Sequence, residues 1–259
     1  MPEGDAVFRS CALLHDALAG HELTRAELRV PRAAAADLTG RRVLEVVPRG
    51  KHQLIRLDGG WTVHTHLRMD GVWKILPVAA PTPGPAHEIR ALLTTAERQA
   101  VGLRLGMVDL VPTDHEDEVV GHLGPDLLGP DWDEALAVAN LRREPGRSIG
   151  EALLDQRNLA GIGTIYRAES LFHQRIHPRT PAGEVPDLLA LVRTAQRLLA
   201  ANQGPGRWVP TASGRDGRWV YGRAGKPCPR CRTRIQCEEF GPDTQERLSW
   251  WCPRCQPLG

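Results

Sequence analysis

The chain has 259 residues, 41% hydrophobic and 25% charged, with a net charge of +2, the composition of an ordinary globular protein with room for two domains. Nothing approaches the roughly 18 consecutive apolar residues of a membrane-spanning helix. Glu3, Asp5, Arg9 and Asp16 interrupt the apolar stretch that a signal peptide would need, so a cytoplasmic protein is expected. The charge is unevenly spread: residues 205–259 hold ten Arg or Lys against five Asp or Glu, a balance of +5, so the first 204 sum to −3. Positive charge gathered at one end suits contact with the phosphates of DNA or another polyanion.

Residues 5–19 read as a helix, with Val7, Cys11, Leu14 and Leu18 on one apolar face. From about residue 23 to 111 the pattern changes to short strands. Val43 to Val47, Gln53 to Leu57, Trp61 to Thr65 and Gly71 to Ile75 are separated by glycine-bearing turns, which predicts a sandwich or barrel. The run Pro77–Pro85, with four prolines, reads as an exposed loop. After Gly129-Pro130 the texture becomes helical, and Leu188, Leu191, Val192, Ala195, Leu198 and Leu199 form a stripe ending before Gly204. Residues 203–227, rich in Gly and Arg, read as a loop. The layout is helix, β-domain, helical domain and a terminal cysteine module.

Within the module, Cys228-Pro-Arg-Cys231 and Cys252-Pro-Arg-Cys255 are separated by twenty residues. Two such knuckles place four thiolates for one tetrahedral Zn²⁺. The alternative, two disulfides, is disfavoured in a reducing compartment. With all four positions filled by protein, the metal is expected to be structural. Cys237 and Cys11 read as small hydrophobes rather than ligands. Residues 234–239 and 245–251 read as two strands of a hairpin, which puts Arg247 on a metal-stapled ribbon with Trp250 and Trp251 beneath or beside it. Arg247 is either a phosphate contact or simply solvated charge.

Residues 153–169 read as helix, glycine turn, helix. Gly161 and Gly163 allow tight turns and close approach of another molecule. Thr164 is read as the N-cap of a helix starting at Ile165, whose free amides would offer a phosphate site. By itself this pattern is better read as a structural corner between helices.

The N-terminus is Met1-Pro2-Glu3-Gly4. Removal of Met1 would expose the secondary amine of Pro2, and an α-amino group with a pKa near 8 is a capable nucleophile toward an electrophilic sugar carbon. Glu3, next door, is a candidate general acid or base, although these four residues alone are more simply read as an unremarkable N-terminus.

Taken together, Met1-Pro-Glu-Gly4, Arg49-Gly-Lys51, Thr65-His-Leu-Arg-Met-Asp-Gly71, His122-Leu-Gly-Pro-Asp126, Leu154-Asp-Gln with Gly161-Ile-Gly163, Tyr221-Gly-Arg223 and the four cysteines follow one order along the chain. In that order they resemble the bacterial bifunctional DNA glycosylases that include formamidopyrimidine-DNA glycosylase and endonuclease VIII. The resemblance implies an α+β multidomain fold: an N-terminal helix plus β-sandwich over residues 1–125, a helix-two-turn-helix domain over 126–222, and a zinc-finger hairpin over 223–259. It implies that Pro2 attacks C1′ of a flipped nucleotide, that Glu3 protonates the deoxyribose ring oxygen, that Lys51 aids proton transfer and that Arg247 holds flanking phosphates. Base removal is then followed by β,δ-elimination. A solvated turn lysine is the competing reading of Lys51. Met69 is expected to fill the hole left by the flipped base, against the alternative of a buried core methionine. Arg68, His122, Thr164 and Tyr221 fall at DNA-contact positions of the family, although a helix-end histidine such as His122 is commonplace.

One departure stands out, because Thr164 occupies the place where the family usually has Asn. Threonine keeps one hydroxyl but loses the paired donors of the amide, so the phosphate contact there should weaken. Pro2-Glu-Gly-Asp5 resembles the endonuclease VIII branch, which implies oxidised pyrimidines rather than 8-oxoguanine as substrates. The expected partner is damaged duplex DNA, bound by a monomer carrying one zinc ion and no membrane anchor. The competing classes are a non-catalytic DNA-binding protein on the same scaffold and a general zinc-ribbon module. The latter accounts for neither the N-terminus nor the glycine turn.

Overall fold

The computed structural model describes residues 2–204, 208–210, 217–241 and 247–258. They form two compact units, one of Pro2 with Ala6–His122 and the other of Glu3–Asp5 with residues 123–258.

In the first unit, helix α1 (Gly4–Leu18) presents Val7, Cys11, Leu14 and Leu18 to the core, all at most 1% exposed. Burial pushes the Cys11 thiol up to about 12, as suits a small apolar side chain. Eight strands follow: β1 (Arg25–Leu28), β2 (Val43–Arg49), β3 (His52–Leu57), β4 (Trp61–His66), β5 (Val72–Pro77), β6 (Ile89–Thr94), β7 (Arg98–Leu103) and β8 (Met107–Pro112). They make two antiparallel sheets, ordered β1-β6-β7-β5 and β2-β3-β4-β8. Leu28, Trp73, Ala91, Leu93 and Ala100 from one sheet share a core with Val43, Val46, Ile55, Leu57, Val63 and Val108 from the other. This is the anticipated sandwich, its core filled from both sheets. A short helix, α2 (Asp117–Val120), closes the unit.

Two turns of this unit matter for function. Arg49 pairs with His52, leaving Gly50 and Lys51 as a two-residue hairpin loop in which Gly50 has φ +60°, the left-handed geometry such loops require. The second turn, residues 67–71, joins β4 to β5 and carries Met69.

The second unit holds α3 (Glu134–Arg142), α4 (Ile149–Leu154), α5 (Thr164–Gln174), α6 (Leu188–Ala200) and the hairpin β9 (Gln236–Phe240) with β10 (Arg247–Trp251). Asp133, Ser148 and Asp187 cap α3, α4 and α6 through their side chains, each satisfying an amide that the first helical turn leaves open. The stripe Leu188, Leu191, Val192, Ala195, Leu198 and Leu199 is buried in one core with Leu153, Ile162 and Tyr166. Ala168 and Phe172 of α5 pack with Val220, Cys228, Ile235 and Cys252, seating the cysteine module on α5. Among the described residues, no helix is long and apolar enough to cross a membrane.

Candidate catalytic residues and zinc module

The start of α5 shows an arrangement that local sequence does not suggest. Its N-cap is Gly163, with φ −132° and ψ −160°, which has no side chain to cap with. Glu3 supplies the cap instead. One carboxylate oxygen accepts from Gly163 N at 2.8 Å and Tyr166 N at 3.3 Å, and the other from Ile165 N at 2.6 Å. The carboxylate is 2% exposed, and the ionised form, an acceptor at both oxygens, matches three N–H donors. Gly4 N donates to Gly161 O at 2.8 Å, where Gly161 has φ +99°. A Cβ at Gly163 would stand 2.5 Å from Glu3 Cδ, so glycine is required there for space.

This corrects two expectations. Thr164 is the first helical residue rather than the N-cap, and it makes no side-chain cap. The amides of that helix end are also not all free, because Glu3 takes those of Gly163, Ile165 and Tyr166. Sequence could not show this, since donor and acceptor are 160 positions apart.

Two further charged residues of α5 escaped the sequence reading. Arg167 is fully buried and donates through Nη2 to Leu248 O at 2.6 Å, beside Arg247; burial pushes its guanidinium down to about 10. Glu169, also fully buried, accepts from the successive amides of Trp219, Val220 and Tyr221 at 2.8, 3.1 and 2.8 Å. Burial raises its carboxyl, although those three amides pull the other way. Both would pass in sequence for solvated helix charges.

Lys51 is 7% exposed, so it is not a solvated turn lysine. Beside it lies a histidine cluster unmarked by any spacing rule. His52 Nδ1 and His64 Nε2 are 2.7 Å apart, His64 Nδ1 is 3.1 Å from Asp109 Oδ2, and the His52 ring meets those of His66 and His122 edge-on at 4.8 and 6.1 Å. Burial, reinforced by His64, His66, His122 and Arg68, holds His52 down at about 3. Burial, with Arg68, Lys51 and His64, holds His66 at about 4. These imidazoles are therefore neutral at physiological pH. His122 itself is exposed just beyond α2.

Met69 is 64% exposed, which removes the buried-core alternative. Arg68, exposed beside it, has φ +56°. Arg247 is exposed at the start of β10, Trp251 is buried against His177, and Trp250 is half-buried against Tyr221 with ring centroids 4.5 Å apart. Pro2 is half-buried; Met1 lies outside the described residues.

The Sγ atoms of Cys228, Cys231, Cys252 and Cys255 all lie within 4.8 Å of one another and form the one such cluster of potential metal ligands among the described residues. Cys231 and Cys252 are 3.4 Å apart, and Cys228 and Cys255 are 3.9 Å apart. Tetrahedral Zn²⁺ with bonds of about 2.3 Å sets ligand sulfurs about 3.8 Å apart, so the set fits one structural zinc ion. Cys237 stands outside it.

Comparison with known proteins agrees along the chain. The N-terminal domain of formamidopyrimidine-DNA glycosylase matches residues 1–109, its H2TH domain matches 123–202, and the zinc finger found in FPG and IleRS matches 225–258. "Probable endonuclease 8 2" of Streptomyces coelicolor is 54% identical over 99% of this chain and 94% of its own length. "DNA-(apurinic or apyrimidinic site) lyase Nei2" of Mycolicibacterium smegmatis is 45% identical over 99% of both. The fold is also that of Lactococcus lactis Fpg, solved with DNA containing an abasic site, at a TM-score of 0.82 and 23% identity over 99% of this chain and 100% of that one. With three domain matches in order and relatives of this identity over nearly its whole length, the chain belongs to the formamidopyrimidine-DNA glycosylase and endonuclease 8 family.

Proposed function

We propose that this protein is a bifunctional DNA glycosylase and abasic-site lyase of base excision repair, using Pro2 as its nucleophile. The observation that carries the reading is the fixed carboxylate of Glu3, bonded to three amides and joined through its own peptide bond to the residue that would attack. Once Met1 is removed, Pro2 presents a secondary amine; with Met1 in place it is an amide without nucleophilic character.

The chemistry balances with these groups. The nucleotide is flipped out of the stack, the Pro2 nitrogen bonds to C1′, and the damaged base leaves. The proton shed by that nitrogen passes to the Glu3 carboxylate and from there to the ring oxygen. As the C1′–O4′ bond opens, an iminium forms between Pro2 and C1′. Loss of a C2′ proton, assisted by Lys51, expels the 3′ phosphate. A second elimination, supported by Arg247 on the flanking phosphates, expels the 5′ phosphate and leaves a one-nucleotide gap. Met69 fills the vacated stack, while Arg68, His122, Thr164 and Tyr221 contact the duplex. The zinc ion keeps Arg247 on a rigid hairpin.

Oxidised pyrimidines are the substrate class, supported by Pro2-Glu-Gly-Asp5 and by the endonuclease 8 names of relatives at 44 to 54% identity. The protein acts as a monomer in the cytoplasm on damaged duplex DNA. Competitive excision from duplexes carrying thymine glycol or 8-oxoguanine tests the class. Release of thymine glycol in preference supports it, and efficient 8-oxoguanine release without thymine glycol release reverses it.

A further inference from the structure

The turn bearing Met69 is anchored on every side except at Met69 itself. Gly71 N donates to Leu67 O at 3.0 Å, and the Leu67 side chain is buried in the sandwich core. The left-handed Arg68 donates its amide to His66 Nδ1 at 2.9 Å and reaches Met107 Sδ with its guanidinium at 3.4 Å. Its stem lies so close over Gly106 that a Cβ there would come 2.0 Å from Arg68 Cγ. Gly106 in turn donates its amide to His66 O at 2.9 Å. On the other flank, Arg104 donates through Nε to Asp70 O at 3.4 Å and is itself held by Glu88 at 2.5 Å.

Met69 therefore projects from a turn whose neighbours on both sides are tied to the sheets. A wedge already in its working shape avoids the ordering cost that a mobile loop would meet on insertion. The His66 contact needs Nδ1 as an acceptor, hence a neutral ring with its proton on Nε2. Burial, with Arg68, Lys51 and His64 nearby, favours the neutral ring.

We propose that residues 67–71 form a preformed wedge in which His66 and Arg104 are positioning residues, holding Met69 ready to enter a gap in a DNA stack. The proposal rests on the DNA-repair reading for its ligand, and binding can test it apart from catalysis. The probe is a duplex with one tetrahydrofuran abasic analogue, and the readout is its affinity relative to the same duplex with no gap. Met69→Ala, Arg104→Ala and His66→Leu should each reduce that preference about tenfold. His66→Asn, which puts an acceptor oxygen where Nδ1 stood, should restore most of it. If Arg104 acts through Met69, the Arg104→Ala/Met69→Ala double variant should bind no worse than Met69→Ala. Losses that multiply in the double variant, or that fall equally on the intact duplex, overturn the proposal. Wild-type excision is measured in parallel: a protein that keeps the abasic preference but excises nothing defeats the enzymatic reading and leaves the wedge standing.

Discussion

Glu3 and Gly163 are 160 positions apart in the chain, yet the amide of the glycine donates to the carboxylate of the glutamate at 2.8 Å. A carboxylate from the N-terminus thus does for α5 what an N-cap side chain ordinarily does from one residue away. The glycine turn is shaped to receive that side chain, which takes three of the amides at the helix start.

Substitution of Gly163 by Ala tests this relationship. The backbone there, at φ −132°, accepts a side chain, but the added Cβ would collide with Glu3 Cδ at 2.5 Å. We expect excision and strand cleavage to fall about 10²-fold from displacement of the carboxylate. Gly146→Ala, where nothing lies within 4 Å of the added carbon, serves as the control and should leave both rates unchanged. Single-turnover kinetics on one duplex substrate compares them, and equal behaviour of the two variants would deny Glu3 its role.

The zinc module should carry one zinc per chain by atomic absorption. Structural zinc binding contributes on the order of 10 kcal/mol to its own fold, and Cys228 and Cys252 share one buried cluster with Phe172 of α5. Stripping the metal with a chelator, or the change Cys231→Ser, should cost at least about tenfold in duplex affinity. Undiminished affinity in the metal-free protein would contradict the placement of Arg247 on a zinc-dependent hairpin.

Acid should destabilise the protein through its histidines. The folded-state values of His52 and His66, about 3 and about 4, lie below the ordinary imidazole value of 6.5, so between those limits the unfolded chain binds more protons. Stability from these groups is fully present above pH 6.5 and is lost as the pH falls toward 4. The loss should amount to about 1 to 3 kcal/mol per histidine. Urea midpoints measured from pH 7.5 to 4.5 should fall on this limb. His52→Asn should flatten it; an unchanged limb would mean that His52 does not titrate as described.

Duplex affinity should fall steeply with salt, with a log–log slope set by the number of phosphates neutralised. Removing the arginine assigned to the flanking phosphates, Arg247, should reduce that slope by about one unit. A slope unchanged by Arg247→Ala would place that side chain away from the phosphates.

Much of this was legible in sequence because its causes are local. The stripe of Val7, Cys11, Leu14 and Leu18 follows helical periodicity, and α1 buries those four residues. The cysteine spacing likewise encodes its own geometry, since each knuckle holds two ligands three positions apart. Strands β6 and β7 are not marked individually in the sequence, because each buries five of its six residues and so lacks the apolar–polar alternation of a half-buried strand. Thr164 looked like a cap because local rules favour threonine at that post, whereas the true cap comes from Glu3 across the chain. Arg167 and Glu169 were missed for a related reason: their partners, Leu248 and residues 219–221, lie some 50 to 81 positions away.

The central claim is that the amine of Pro2 forms a covalent bond to the sugar, and reductive trapping measures this directly. Met1-free protein, verified by mass, is mixed with a duplex carrying an oxidised pyrimidine in the presence of borohydride, and the adduct is mapped by peptide mass. The account predicts a stable cross-link on the N-terminal peptide at Pro2, absent from protein that retains Met1. No adduct, or one located on Lys51 instead, would contradict it.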